Sequence, residues 1–227
     1  MRLLPISIRR HHLSEIIMNP TLKKLIRPIY HFAKSKVLTV RSRRKIRALI
    51  AERKILQIEV GAGNKGGSND WITIDMTPKC DIFWDLRNGI PFPDESVSKI
   101  YSSHFFEHLT YKESQIFLDD CLRVLKSGGV FSICVPNARL YIDAYLNNKK
   151  LGDDHWGYIP AINNTTKIDY VNYMAYMDGH HKYMFDKDNL VHILNSKCFK
   201  NVRLREFDPS LDMQERDFES IYAEGQK

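Results

Sequence analysis

The 227-residue sequence has few cysteines and no long apolar run, and each absence excludes a class of protein. Its four cysteines lie far apart, without the close pairs that mark zinc sites or disulfide frameworks. We therefore expect reduced thiols in the core and no metal site. No stretch approaches the roughly 18 apolar residues that a membrane-spanning helix needs, and the N-terminus lacks the apolar core of a signal peptide. These absences favour a cytoplasmic protein.

Acidic residues are scarce at the start of the chain. Residues 1–50 contain thirteen Lys or Arg and a single acid, Glu15, so this basic leader carries a net charge of +12. The remaining residues carry −5, which accounts for the net charge of +7. Because the excess positive charge belongs to the leader, the body of the protein does not have the basic surface expected of a nucleic-acid-binding domain.

The leader contains a predicted amphipathic helix. Asn19-Pro20 is typical of a helix start, apolar residues then recur at helical spacing opposite a basic face, and Pro28 predicts a kink. Such a helix can lie peripherally on an anionic membrane surface, or it can pack on the domain with its charged face in water. The basic run at 41–47 can contact phosphates or simply be solvated. We predict a basic helical leader, 1–50, and one domain, 51–227.

Strand-like and helix-like patterns alternate after the leader, which predicts a single α/β domain. Strands are predicted at 55–60, 71–74, 97–103 and 130–135, with two C-terminal strands at 202–207 and 220–224. A capping box at Thr110 and Glu113 predicts a helix that ends at Gly128 or Gly129, and Asp186 begins another. Residues 137–185 are rich in tyrosine and weakly periodic, which predicts a lid or substrate-binding insertion.

The first predicted strand ends in a glycine loop, 61–67, and the second ends on Asp75. Acids at the ends of successive parallel strands meet at one sheet edge and can form a nucleoside pocket. The loop also matches the dinucleotide fingerprint, but that fingerprint requires a helix after its third glycine. Residues 64–70 are too short and glycine-rich for one, and Glu59 places negative charge near a pyrophosphate. S-adenosylmethionine suits the pocket better, because carboxylates complement its cationic groups and ribose diol.

The motifs, taken in order, resemble those of class I S-adenosylmethionine-dependent methyltransferases. The resemblance covers about 55–136 and is nearest to predicted methyltransferases often associated with bacterial surface-glycan synthesis. It implies a Rossmann-like sandwich, a mostly parallel seven-stranded sheet with an antiparallel C-terminal strand and helices on both faces. The resemblance rests on Glu59-Val60-Gly61-Ala62-Gly63, Asp75, Asp85-Leu86, Pro91-Phe92-Pro93-Asp94, Ser102-Ser103-His104-Phe105-Phe106-Glu107-His108-Leu109 and Leu122-Arg123-Val124-Leu125-Lys126-Ser127-Gly128-Gly129, with a C-terminal signature at 181–186 and 199–202.

The same resemblance implies roles for individual residues. Asp75 would accept both ribose hydroxyls, with turn capping as its alternative role. Asp85 and the Leu86 amide would read the adenine edge, with Asp81 as a nearby competitor. The loop around Gly61 would line the methionine and ribose part of the cofactor. The complete expected cofactor set is Glu59, Gly61, Ala62, Gly63, Asp75, Met76, Asp85, Leu86, Ser102 and Ser103.

Histidines are the candidate bases, since their ordinary pKa suits proton removal from a hydroxyl near neutral pH. His181 is our first candidate, as base or acceptor contact, with packing as its alternative role. His104 is the second, because its strand end should face the cofactor. A structural hydrogen bond is the better interpretation of His108, and two further candidates are His155 and His180.

Three functions remain open from the sequence. The first is O-methylation of a saccharide, glycan precursor or other small molecule, because the chain lacks the Asn/Asp-Pro-Pro-Tyr motif of amino-methylating relatives. Tyrosines of the insertion could stack on sugar faces or form the insertion's own core. The second is an RNA-associated methyltransferase that uses the basic leader. The third is a non-catalytic nucleoside-binding module, and a nicotinamide oxidoreductase has the least support.

Overall fold

The computed structural model describes residues 20–52, 55–67, 70–152, 156, 158–163 and 165–227. Predictions that concern residues 1–19 and His155 lie outside this part of the chain. The chain divides into two compact units, Met1–Leu38 and Thr39–Lys227. The first helix, α1 (Pro20–Ala51), begins at the predicted position, continues through Pro28 and contributes residues to both units. None of the described helices is long and apolar enough to cross a membrane.

The end of α1 belongs to the larger unit, whereas the sequence predicts a boundary near residue 50. Ile46 is buried in the main core, and the Ser42 hydroxyl accepts a 2.8 Å hydrogen bond from the backbone amide of Phe83. Lys45 forms an ion pair with Asp81. These three contacts explain why residues 39–51 form part of the larger unit.

A seven-stranded sheet lies at the centre of the larger unit, in the order β3-β2-β1-β4-β5-β7-β6. Strand β7 is antiparallel to both of its neighbours, and the pairings from β3 to β5 are parallel. The predicted fold class is confirmed: a mostly parallel, Rossmann-like sheet with an antiparallel C-terminal strand and helices around it. The strands are β1 (Leu56–Val60), β2 (Trp71–Asp75), β3 (Ile82–Phe83), β4 (Val97–Ser103), β5 (Leu125–Pro136), β6 (Lys200–Leu204) and β7 (Ser220–Gln226).

Helix α2 (Tyr111–Val124) begins at the predicted capping box. The Thr110 hydroxyl accepts from the Glu113 amide, and the Glu113 carboxylate accepts from the Thr110 amide at 2.8 Å. The helix ends before the predicted Gly128, because Leu125 is fully buried in extended conformation and begins β5 beside β4. Helix α5 (Lys187–Ser196) begins where predicted, with Asp186 as its cap.

The predicted insertion, 137–185, contains α3 (Ala138–Leu146) and α4 (Ile168–Tyr176). Most of its aromatic residues form a separate core, in which the Trp156 ring lies 5.2 Å from that of Tyr170 and 5.0 Å from that of Tyr173. Packing within the insertion, the alternative to sugar stacking, therefore accounts for these side chains. Tyr145 and Tyr176 remain exposed.

Candidate cofactor and acceptor site

The glycine loop and Asp75 meet at the edge where β1, β2 and β4 end, since these three strands are parallel. The Gly63 amide donates a 2.8 Å hydrogen bond to Asp75 Oδ2, which ties the loop to the end of β2. Gly61 has a φ of 71°, and a Cβ there would lie 2.2 Å from Cγ of Phe105. Only glycine accommodates both this left-handed backbone and this close approach.

The connection between β1 and β2 contains no helix among its described residues, 61–67 and 70. It therefore offers no helix N-terminus to a pyrophosphate. The nicotinamide alternative requires such a helix, so this part of the chain argues against it. The negative charge of Glu59 is a weaker argument against a pyrophosphate than the sequence suggests, because Lys65 forms a 2.8 Å ion pair with this carboxylate and offsets its charge. The short connection itself is as the sequence predicts.

A cavity of about 200 Å³, which we call the Asp75 pocket, opens beside this loop. Four predicted cofactor residues line it, and Phe105 connects it to the glycine loop. Ser102 lies buried in β4 with a hydroxyl that has no hydrogen-bond partner, and neither Ser102 nor Ser103 lines the pocket. The lining residues are Asp75, Met76, Trp84, Asp85, Leu86, Arg87, Phe105, His108 and Leu109.

The Asp75 carboxylate fits a ribose diol. Its two oxygens accept hydrogen bonds from the amides of Gly63 and Met76, one each. Because a carboxylate has about four acceptor positions, each oxygen can still accept one hydroxyl. The side chain therefore both caps the loop, as in the alternative role, and presents free acceptor positions to the pocket.

Asp85 lines the same pocket but already has a partner. Arg87 Nε and Nη2 donate to its two oxygens at 2.9 and 2.8 Å, and these bonds lower the pKa of Asp85. Its competitor Asp81 accepts from the amide and hydroxyl of Thr73, at 3.2 and 3.1 Å, and does not line the pocket. Asp85 is thus better placed than Asp81, although Arg87 must share its carboxylate with any adenine amino group.

A second cavity of about 120 Å³, which we call the histidine pocket, contains both predicted catalytic residues. His108 lines this cavity and the Asp75 pocket as well, so the two share a wall. The lining residues are His104, Glu107, His108, Pro136, Tyr173, Met174, Met177, His181, Arg216 and Glu219.

Backbone hydrogen bonds bring His181 to the end of β4. The Glu107 carbonyl accepts from the amides of Lys182 and Tyr183, at 2.8 and 3.3 Å. This pairing joins the end of the insertion to the short helical turn Phe106–His108. His181 is consequently 6% exposed, and its ring centroid lies 5.3 Å from that of His108.

Each of these histidines has one ring nitrogen in a defined hydrogen bond. His181 Nδ1 lies 2.8 Å from the Met174 carbonyl, and His108 Nδ1 lies 3.0 Å from the His180 carbonyl. The second bond is the structural role expected for His108. His104 has a left-handed backbone with a φ of 48°, and its Nε2 lies 2.9 Å from Oγ of Ser220.

Burial dominates the electrostatics of the histidine pocket. It lowers the pKa of His108 and His181, and it lowers that of His104 to about 3 with help from the positive charge of Arg216. These imidazoles are therefore neutral at neutral pH and have lone pairs that can accept a proton, although His104 is a weak base. Burial also raises the pKa of Glu107 to about 8.

Glu107 is absent from the predicted site, although it lies at the centre of the histidine pocket. Its position three residues after His104 is a signal that sequence reasoning could use, because residues i and i+3 lie on the same side of a helical turn. The candidate His180 is exposed, and its ring packs 5.9 Å from that of Tyr158.

Comparisons with known proteins agree with a methyltransferase site. The sequence family described as Methyltransferase domain matches residues 82–133. A probable S-adenosylmethionine-dependent methyltransferase of Mycolicibacterium smegmatis is 40% identical over 57 residues, which cover 23% of this chain and 21% of the relative. The chain thus matches about a fifth of the length of this curated protein.

Solved structures give a broader but weaker likeness. A SAM-dependent methyltransferase from Archaeoglobus fulgidus is 15% identical, with a TM-score of 0.45 over 82% of this chain and 92% of its own. One from Mesorhizobium loti is 14% identical, with a TM-score of 0.47 over 81% of this chain and 96% of its own. At these TM-scores we base the fold class on the strand order of the sheet and not on the likeness to these structures.

The family match and the curated relative each involve about a quarter of the chain, and over that part they agree with the methyltransferase predicted from the sequence. S-adenosylmethionine is the cofactor of this class. The Asp75 pocket provides an acid for such a nucleoside, and the glycine loop lies beside the pocket, where the Gly63 amide bonds to Asp75 and Gly61 adjoins Phe105.

Proposed function

We propose that the protein is an S-adenosylmethionine-dependent methyltransferase that methylates a hydroxyl of a saccharide, glycan precursor or related small molecule. Asp75 would hold the ribose hydroxyls, the glycine loop would approach the methionine part, and Leu86 with Asp85 would contact the adenine edge. When bound, the cofactor supplies a methyl group on a positively charged sulfur. The protein must then align the acceptor oxygen, exclude water and accept a proton.

One observation carries this proposal: the Asp75 pocket and the histidine pocket share a wall at His108. An acceptor hydroxyl in the histidine pocket would therefore lie next to the cofactor. Methyl transfer to that oxygen would release the hydroxyl proton, and the free ring nitrogens of His181 and His104 line the pocket where it could be accepted. Because the histidine pocket is small, we expect it to admit the reacting edge of a sugar, with the rest of the acceptor outside.

Calorimetric titration with S-adenosylhomocysteine tests the cofactor site. We expect micromolar binding by the wild type and no binding of NADH. Asp75→Ala should weaken binding by about tenfold or more, because a hydrogen bond to a charged group contributes about 1.5–3 kcal/mol. Asp119→Ala is the matched control, since this acid is exposed and forms a surface ion pair with Lys197, away from the Asp75 pocket. Thermal unfolding checks that both variants fold.

Two results would contradict the proposal. Failure of the wild type to bind S-adenosylhomocysteine would refute the methyltransferase proposal, and binding of NADH would instead favour the dinucleotide alternative. If the cofactor binds, transfer of a labelled methyl group to nucleotide sugars and lipid-linked glycans tests the acceptor class. Binding without turnover on any acceptor would favour the non-catalytic nucleoside-binding module.

A peripheral membrane contact is a second part of the proposal. The described part of the smaller unit is a helix with five Lys or Arg and no acid between residues 20 and 38. Phe32 is 65% exposed and Val37 is 59% exposed, and the Lys36 ammonium lies 5.2 Å from the Phe32 ring centroid. Exposed apolar side chains beside cations suit an anionic lipid surface better than RNA. Such a contact would bring the enzyme to membrane-associated glycan precursors.

A further inference from the structure

Three potential metal ligands converge in the histidine pocket. A carboxylate oxygen of Glu107 and one ring nitrogen each of His108 and His181 all lie within 4.8 Å of one another. Glu107 and His108 are neighbours on one helical turn, whereas His181 comes from the far end of the insertion. The cysteine spacing from which we predicted no metal site is blind to such a cluster, because it contains no cysteine.

An unpartnered carboxylate oxygen lies at the centre of the cluster. Glu107 is 2% exposed, and its Oε2 has no hydrogen-bond partner. A buried carboxylate without a donor or a cation is costly, since it loses its hydration and gains nothing in exchange. The Arg216 side chain lines the same pocket, but it does not donate to this oxygen.

The hydrogen bonds of the neighbouring histidines determine which nitrogen carries a lone pair. In His181 and His108, Nδ1 faces a backbone carbonyl and must donate its proton to it. Each Nε2 is therefore an acceptor. His108 Nε2 lies 3.9 Å from Glu107 Oε1, which is too far for a hydrogen bond. This acceptor nitrogen is therefore close to the carboxyl group without bonding to it.

His104 extends the pattern to a third imidazole. The Ser220 hydroxyl donates to the Arg216 carbonyl at 2.6 Å, so it accepts from Nε2 of His104. This leaves a lone pair on His104 Nδ1, which lies 3.7 Å from Glu107 Oε1. Acceptors thus surround Glu107 on several sides. Its raised pKa favours a protonated carboxyl when no cation is bound, and that single proton can satisfy only one of these acceptors, whereas a cation can satisfy all of them.

We propose that Glu107, His108 and His181 bind a divalent transition-metal ion in the histidine pocket, with His104 beside it. Mixed imidazole and carboxylate ligands suit zinc and iron. The carbonyl of Met174 and that of His180 are the outer partners that orient metal-binding histidines. Ligands bound at about 2.1 Å to one ion lie roughly 3–3.5 Å apart, so small side-chain rotations bring these atoms to bonding distance.

Three protein ligands leave coordination positions open to the cavity. An acceptor hydroxyl that binds there loses its proton more readily, since the ion stabilises the alkoxide. This role rests on the proposed function, and it assigns His181 to the metal. Because His104 is a weak base, the proton of the ion-bound hydroxyl would pass to water. Metal binding itself does not depend on the methyltransferase activity.

Titration of chelator-treated protein with Co²⁺ tests the site without cofactor or acceptor. We expect one Co²⁺ per chain, visible absorption bands from the bound ion, and competition by Zn²⁺. Glu107→Gln keeps the shape of the side chain and His181→Asn removes a ligand, and each should weaken binding by about tenfold or more. His192→Asn is the matched control for adventitious binding, because this histidine is exposed on α5.

Absence of Co²⁺ binding by the wild type would overturn the metal site. Glu107→Gln and His181→Asn proteins that bind Co²⁺ as tightly as the wild type would do the same. So would a His192→Asn protein that loses as much Co²⁺ affinity as the two pocket variants. Titration of the same proteins with S-adenosylhomocysteine separates the two proposals. Cofactor binding without Co²⁺ binding refutes only the metal site, and Co²⁺ binding without cofactor binding refutes only the methyltransferase.

Discussion

Substitution of Gly61 by alanine should disrupt both stability and the cofactor pocket. The left-handed backbone costs a residue with a Cβ about 1–2 kcal/mol. The new methyl group would also lie 2.2 Å from Cγ and 2.4 Å from Cβ of Phe105, and such overpacking typically costs about 1–3 kcal/mol. We therefore expect Gly61→Ala to lower the free energy of unfolding by about 2–5 kcal/mol.

Gly63→Ala is the matched control for this prediction. Gly63 has a similar φ of 64°, but a Cβ there meets no atom within 4 Å. It should therefore lower the free energy of unfolding by the backbone cost alone, about 1–2 kcal/mol. Urea unfolding followed by circular dichroism measures both values, and their difference isolates the contact with Phe105.

The same two variants connect stability to the cofactor site. Phe105 lines the Asp75 pocket and packs against Phe117, with ring centroids 5.5 Å apart. Displacement of its ring should weaken binding of S-adenosylhomocysteine in Gly61→Ala more than in Gly63→Ala. Equal stability of the two variants would refute the close approach between residue 61 and Phe105.

Two other predictions concern the thiols and the leader. Cys80, Cys121 and Cys134 are buried, and burial raises the pKa of each, that of Cys134 to about 11. A chromogenic disulfide reagent at pH 8 should therefore titrate one thiol rapidly, the exposed Cys198, and four after unfolding; two or more rapid thiols in the native protein would contradict this. Sedimentation with vesicles should show binding to anionic but not neutral lipid, weakened by Phe32→Ser with Val37→Ser and not by Leu146→Ser, an exposed control on α3. Preference for RNA over anionic vesicles would favour the RNA-associated alternative.

Much of the sheet follows from the sequence alone. The centre of β5 is visible as a near-continuous apolar run, which is typical of a parallel strand covered on both faces, and β1, β2 and β4 are visible as short apolar stretches interrupted by polar residues. The glycine loop and Asp75 are visible for a related reason: strand ends of a parallel sheet share one edge. Local chemistry also marks the starts of α2 and α5, since a capping side chain bonds only three residues away.

Long-range packing decided what the sequence pattern could not. The helix limit at Gly128 was wrong because Leu125 is buried in the sheet, and that burial depends on β4. Asp85 was predicted to read the adenine edge, but its carboxylate is shared with Arg87; this contact is local, yet it depends on side-chain geometry that spacing does not specify. Tyr141, Tyr170 and Tyr173 of the insertion form its own core because α3 and α4 pack together.

The histidine pocket illustrates this division most clearly. The sequence by itself determines that His104, Glu107 and His108 lie within five residues after β4, because their spacing is local. Only the tertiary structure brings His181 beside them, through the hydrogen bonds from Lys182 and Tyr183 to the Glu107 carbonyl. A contact between residues so far apart in the chain depends on how the whole insertion folds back, and no local pattern encodes that path.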